Sequence, residues 1–154
     1  MTVKLTPRGT KGQSMPGGPL KGLTLWIMRT GHRLGLTNRM DGMPVVLLTT
    51  RGARSGDLRS TPVMAFPEGE GAWLVVASMA GAARHPAWAV NMARHPQDVW
   101  IETEGRKVKV EPASLSGEER ERAWDSIVKR SARFGGYQSK TDREIPVIRL
   151  RAAP

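Results

Sequence analysis

The sequence predicts a mainly β domain with short inserted helices (α+β), its strands closing into a small barrel. Three observations predict it. Residues 45–50, Val45-Val46-Leu47-Leu48-Thr49-Thr50, are an apolar, β-branched run that passes through a tight Gly/Ser/Arg loop into a second extended segment, 58–66. Residues 98–103 and 106–113 alternate apolar and polar around Glu104-Gly105, a hairpin signature. Helical patterns between strands are few, and no Gly-x-Gly-x-x-Gly follows a strand, since Gly69-x-Gly71 lies in a turn. A closed antiparallel sheet is then favoured over a doubly wound one.

The elements follow in order. Residues 1–19 carry Pro7, Gly9, Gly12, Pro16, Gly17, Gly18 and Pro19 among basic side chains and read as a flexible basic tail. Residues 20–154 read as one domain. It opens with an amphipathic helix over 20–35: at roughly 100° per residue, Leu20, Leu23, Ile27 and Leu34 share a stripe opposite Lys21, Arg29, His32 and Arg33. Such a helix either packs on the core or lies on an anionic membrane with Trp26 at the boundary. Residues 67–71 are a turn, and the apolar run 72–78 predicts a strand buried on both faces. A small-residue loop, 79–84, leads to a helix from Pro86, where proline suits the first turn, to about His95-Pro96. Ser116-Gly117-Glu118-Glu119 reads as a capping box opening a helix to about Arg130. Residues 131–144 read as a loop and 145–150 as the last strand.

Composition narrows the chemistry. At 154 residues the chain can bury a real core. It has no cysteine, which excludes disulfides, thiolate nucleophiles and Cys-ligated metal sites. A net charge of +10 favours an anionic partner, whether nucleic acid, a membrane surface or a polyanionic ligand, without choosing among them. The longest candidate spanning segment, 23–28, is far short of the about twenty residues that span a bilayer, and no secretory signal is visible. The expectation is a cytoplasmic protein. Residues 1–35 are its candidate peripheral contact with the cytoplasmic face of a membrane.

Residues 51–56, Arg51-Gly52-Ala53-Arg54-Ser55-Gly56, have the makings of an anion site: glycine lets backbone N–H groups converge and arginine supplies charged forks. The same residues can also form a solvated hairpin turn. Hydrolytic chemistry has little support. His32, His85 and His95 have no obvious Ser or Asp partner, and the His85–His95 spacing fits no zinc pattern, so no metal site is expected. Glu118, Glu119 and Glu121 are ordinary charges at a helix start. A phosphate loop of Walker type fails on spacing and lacks the terminal Lys-Ser/Thr. Nucleic-acid binding usually needs aromatics interleaved with basic residues, and Trp73 and Trp100 have apolar and acidic neighbours. A charge-only binding module is the remaining non-enzymatic reading. Cofactor chemistry, in which the protein binds and orients a reactive group, fits the chain best.

Three blocks carry a resemblance. The first is Leu47-Leu48-Thr49-Thr50-x-Gly52-x-Arg54-Ser55-Gly56-x-x-Arg59-x-x-Pro62. The second is Ala77-Ser78-x-x-Gly81-Ala82, then Pro86-x-Trp88-x-x-Asn91 and His95-Pro96. The third is Tyr137-Gln138-Ser139-x-Thr141-Asp142-Arg143-x-Ile145-Pro146. In this order and at these separations, from about residue 43 to 150, the chain resembles the deazaflavin-dependent nitroreductases and quinone reductases of actinobacteria. These are split β-barrel proteins of FMN-binding-like architecture that use reduced coenzyme F420.

The resemblance implies a split barrel and a polyanionic cofactor, since F420 carries a phosphodiester and a polyglutamate tail; FMN is the alternative cofactor. It implies that Arg54 and Arg59 bind the anionic part, with N–H groups from the loop at Ser55 and Gly56. It implies that Val63, Met64 and Ala77 line the ring site, and that Ala87, Trp88 and Asn91 border the cofactor. Ser78 becomes the hydrogen-bond donor to charge developing during hydride transfer, and Tyr137 the second donor or a wall. Phe134, Tyr137 and Trp88 become the pocket for a small hydrophobic acceptor. The chain also departs from the family's pattern. The positions of several loop tyrosines look like Ser131, Phe134 and Tyr137, leaving one phenol. Met79 stands where a basic residue is common, and Met64 where an aromatic is expected. The departures favour a quinone-like acceptor over a nitroimidazole. Much of the net charge then serves the ligand rather than nucleic acid. The sequence does not choose between monomer and dimer.

Overall fold

Val46, Leu47 and Leu48 are wholly buried, and burial on both faces makes their strand the hub of the sheet. The computed structural model describes residues 2–14 and 39–154. Its strands are β1 (Arg39–Met40), β2 (Met43–Arg51), β3 (Leu58–Met64), β4 (Phe66–Pro67), β5 (Ala72–Val76), β6 (Val99–Thr103), β7 (Arg106–Ser114) and β8 (Val147–Ala152). Three helices are described, α1 (Ala87–Arg94), α2 (Gly117–Arg130) and α3 (Arg133–Ser139). The sheet order is β1-β2-β6-β7-β8-β5-β4, with β3 also on β2. Every ladder is antiparallel. The sheet curls into a half-barrel.

Period-two alternation divides the core. Val75, Ile148 and Leu150 pack with Val46, Leu48 and Ile101 on one side. Leu74, Val76 and Val147 pack with Phe66, Ile127, Phe134 and Ile145 on the other. This is why residues 72–76 read as an unbroken apolar run: β5 has no solvent face. The first hairpin and the 99–114 hairpin stand within a residue or two of their expected bounds. The last strand runs two residues later than expected, 147–152.

Three readings change. Residues 133–139, expected as loop, form α3. Gly135 and Gly136 lower its intrinsic helicity, but Phe134 is buried in the second core cluster and anchors it. Ser116 is the N-cap of α2, yet its side chain makes no capping bond, so the expected capping box is not formed. The third change concerns the stretch expected to be a flexible tail. Of it, residues 2–14 lie against the barrel as a strap. Val3 enters the first core cluster and Leu5 packs on it. The Gly9 N–H donates to the Ala83 carbonyl (2.8 Å) and the Gln13 N–H to the Gly81 carbonyl (2.9 Å). Asp142 accepts from the N–H groups of Thr10 (2.8 Å) and Lys11 (3.1 Å) and from the Thr10 hydroxyl. The helix expected over 20–35 lies outside the described residues.

The strap is fastened by titrating groups. His85 Nε2 donates to the Thr6 carbonyl (2.7 Å), and its Nδ1 accepts from Arg143 (3.0 Å), which fixes the neutral tautomer. Burial pushes the His85 pKa below its ordinary 6.5. A proton is therefore taken up more readily by the unfolded chain, and stability falls as the pH drops below 6.5. Asp142 is held down to about 2 by the Thr10 hydroxyl and the strap N–H groups, so its contribution is lost only as the pH falls below 3.8 towards that value. We expect the thermal midpoint to decline between pH 7.5 and 5.5 in the wild type and to decline less in His85→Gln. Identical slopes in the two proteins would contradict this account.

Candidate active site

A cavity of about 490 Å3 opens between β3, the segment following β5, α1 and α3. That is the size of a cofactor or small-ligand site. Nine of the residues expected in the site line it: Arg59, Val63 and Met64 from β3, Ser78 after β5, Ala87, Trp88 and Asn91 from α1, and Phe134 and Tyr137 from α3. Four do not. Ala77 is wholly buried behind the cavity, its N–H donating to Pro146 and its carbonyl accepting from Arg143. Arg54, Ser55 and Gly56 form the β2–β3 loop, outside the cavity lining.

That loop is braced by the chain's own groups. Arg51 is held by Asp98 (2.7 Å) and donates to the Gly56 carbonyl (2.7 Å). Gly52 N–H donates to Asp57 and Gly56 N–H to Gly52, where φ +77° at Gly56 suits glycine. Asn91 ties the loop to α1, accepting from the Ala53 N–H (2.9 Å) while its amide donates to the Thr50 hydroxyl (3.1 Å). The Ser55 hydroxyl accepts from Asp57 N–H (3.2 Å). So the loop spends the Gly56 N–H internally, while the Ser55 hydroxyl accepts one bond and keeps its proton for donation. Among the described residues the backbone N–H groups of Arg54 and Ser55 take no partner, and the Arg54 and Arg59 side chains make no ion pair. Both arginines are exposed.

At the other end, Ser78 ends the fifth strand's extension and is followed by a left-handed turn, with φ +45° at Met79, +53° at Ala80 and +83° at Gly81. Ser78 is buried, lines the cavity, and its hydroxyl has no hydrogen-bond partner among the described residues. Phe134 stands edge-on to both Phe66 and Tyr137, with 5.5 Å between centroids in each pair. Arg133 also lines the cavity and was missed by the sequence reading, which had no helix there. It grips Asp41 with two bonds (2.7 and 2.9 Å), and Ser131 donates to the same carboxylate (2.6 Å). Hydrogen bonds from Arg133 and Ser131 hold the Asp41 pKa down; bonds to Asp41 first and Tyr137 second raise that of Arg133. Ser131 is therefore turned away to Asp41, and Tyr137 carries the one phenol at the cavity. Among the described residues no three His, Asp or Glu side chains could hold a metal ion, and no helix is long and apolar enough to cross a membrane.

Residues 9–151 match the family model described as F420H2-dependent quinone reductase. The chain belongs to this family. An F420H2-dependent quinone reductase of Mycobacterium tuberculosis is 34% identical over 125 residues, 79% of each chain. A solved F420H2-dependent reductase, FDR-A, superposes with a TM-score of 0.63 at 38% identity over 70% of this chain and 94% of its own. Another solved chain, described as a domain-swapped dimer, gives 0.64 at 34% identity over 84% and 99%. The family consists of F420-dependent oxidoreductases of split-barrel type, and its cofactor is coenzyme F420. The match extends past the expected 43–150 into the strap. The residues present fit this cofactor. A cavity walled by Val63, Met64 and Trp88 suits a flat ring. Two arginines outside any described ion pair, with the unspent N–H groups of Arg54 and Ser55 beside the first, suit a polyanionic tail.

Proposed function

We propose that this family member transfers a hydride from reduced F420 to a quinone-like, apolar acceptor within the 490 Å3 cavity. The observation that carries the reading is the placement in one cavity of an exposed arginine at one side, an unspent serine hydroxyl, and an aromatic wall with a single phenol. When bound, the reduced coenzyme supplies a hydride from C5 of its ring. The protein supplies alignment and electrostatics. Arg54 and Arg59 hold the anionic part, assisted by the N–H groups of Arg54 and Ser55. Val63, Met64 and Ala87 form the walls of the ring site, and Trp88 borders both ring and acceptor. The Ser78 hydroxyl donates a hydrogen bond where charge develops. Tyr137, steadied by Arg133 and Phe134, presents its phenol to the acceptor. Asn91 acts through the loop it anchors. Ala77 acts through the backbone it shares with Ser78.

A lipophilic acceptor favours a second part of the proposal, contact of residues 1–35 with an anionic lipid surface through Trp26 and the basic side chains near it. Deleting that segment would also remove Val3 and Leu5 from the core, so the test uses point changes. The experiment is direct. The protein is titrated with F420 and FMN, then given reduced F420 with a menaquinone analogue, a nitroaromatic, and the same quinone embedded in anionic vesicles. We expect F420 to bind in preference to FMN, and the quinone to be reduced faster than the nitroaromatic. Trp26→Ala should slow only the vesicle reaction. Preference for FMN, or duplex DNA binding that F420 does not displace, would overturn the cofactor-site reading. Reduction of the nitroaromatic alone would overturn the acceptor.

A further inference from the structure

Arg143 is wholly buried, yet no carboxylate lies within 4 Å of it among the described residues. An arginine that gives up water this completely needs every donor satisfied. Its guanidinium donates to the carbonyls of Ala77 (3.0 Å), Ser78 (2.9 Å) and Ala82 (3.1 Å) and to His85 Nδ1 (3.0 Å). Those acceptors bracket the left-handed Met79–Gly81 turn on both sides. Met79 and Ala80 are not glycine, so their positive φ stores strain that survives only where neighbours over-determine it. Inside the turn there are two bonds, Gly81 N–H to Ser78 (2.9 Å) and Ala82 N–H to Met79 (3.0 Å), and from outside the Gln13 N–H of the strap holds the Gly81 carbonyl (2.9 Å). The guanidinium is what restrains both flanks at once. Met79, Ala80 and Ser78 all line the cavity.

We propose that Arg143 is a positioning residue of the active site: its buried fork clamps both flanks of the strained 79–81 turn and so fixes the Ser78 hydroxyl and the Met79–Ala80 wall against the bound cofactor. This rests on F420 occupying the cavity. The clamp itself does not, because its four bonds are made entirely to groups of this chain. A lysine keeps the charge but offers one nitrogen in place of the planar fork, so it cannot reach both flanks. His85 extends the same clamp to the strap through Thr6.

The test compares wild type, Arg143→Lys, and Arg143→Lys combined with Ala80→Gly. Amide hydrogen exchange of the cofactor-free proteins reads the clamp alone; Gly81 and Ala82 should exchange about tenfold faster in Arg143→Lys. F420 titration should show an affinity loss of about tenfold, as expected from freeing one strained residue. Turnover should show kcat lowered by about tenfold or more while KM for the quinone stays within about threefold, the mark of lost alignment. Glycine at position 80 relieves the left-handed strain and should recover most of the lost affinity. A generally loosened core would not respond to that single change. Should Arg143→Lys fail to fold, His85→Ala removes one of the four acceptors and is read in the same way. Unchanged exchange at Gly81 and Ala82, or an affinity loss that Ala80→Gly leaves untouched, overturns the proposal. Faster exchange in a protein whose wild type does not bind F420 keeps the clamp and overturns the cofactor site instead.

Discussion

Phe66→Ala is expected to cost about 3–5 kcal/mol of folding stability, a sizeable part of what a domain of this length has. Phe66 is wholly buried and stands opposite Leu74 in the β4–β5 pair. It meets Phe134 edge-on at 72°, and Phe134 meets Tyr137 edge-on at 84°. The three rings form a column from the second core cluster to the cavity wall. Each pair adds about 0.5–1.5 kcal/mol beyond the area it buries. Removing the base of the column leaves a cavity and frees α3, whose two glycines give it little helicity of its own. A urea unfolding curve should show a lower midpoint at constant slope. Phe66→Leu should lose about a third as much, since most of the volume is kept. KM for the quinone should rise in Phe66→Ala as Tyr137 loses its support. A loss under about 1 kcal/mol would show that α3 is held by something other than this column.

Much of the sheet was legible because its cause is local. A period of two, broken at Glu104-Gly105, is written in adjacent residues, and the same holds for the apolar strand at 72–76. The strap was illegible because its partners are remote in the chain, at Gly81, Ala83, His85 and Asp142. Gly9 and Gly12 read as flexibility. In the structure they permit close approach: a Cβ on Gly9 would lie 2.7 Å from an Asp142 carboxylate oxygen, and one on Gly12 2.4 Å from the Ala83 nitrogen. No propensity scale holds that information. The third helix was hidden by the opposite fault, since Gly135-Gly136 argues against helix while burial of Phe134 outweighs it.

The site was legible in its residues more than in their roles. The β2–β3 loop was recognisable from Gly52, Arg54 and Gly56, but the sequence could not show that the Gly56 N–H is spent inside the loop and that the Ser55 hydroxyl accepts from Asp57. Ala77 lay on the correct strand extension and on the wrong face. Arg133 would have followed from a helix, being four residues before Tyr137. Arg143 sat in the third quoted block with no sign of its task, because its partners are backbone carbonyls. Carbonyls are present at every residue and leave no mark in a sequence.

Arg54→Ala and Arg59→Ala are each expected to raise the F420 dissociation constant about 10- to 150-fold, the worth of about 1.5–3 kcal/mol for a charge-assisted bond. Neither side chain makes an ion pair or hydrogen bond among the described residues, so folding stability should change by less than about 0.5 kcal/mol. That separation is what makes the pair informative. Arg51→Ala is the contrast, because Arg51 braces the loop through Asp98 and the Gly56 carbonyl and its loss should lower both stability and affinity. Charge also predicts the salt response. Wild-type affinity for the polyanionic cofactor should fall between low and physiological salt, and the double variant should show a shallower slope. Met79 adds a reason for dependence on these two arginines: the cavity wall is apolar there, and no described acid neutralises Arg54 or Arg59. If both single variants bind F420 within about twofold of wild type and keep its salt slope, the anionic part of the cofactor is held elsewhere on this surface.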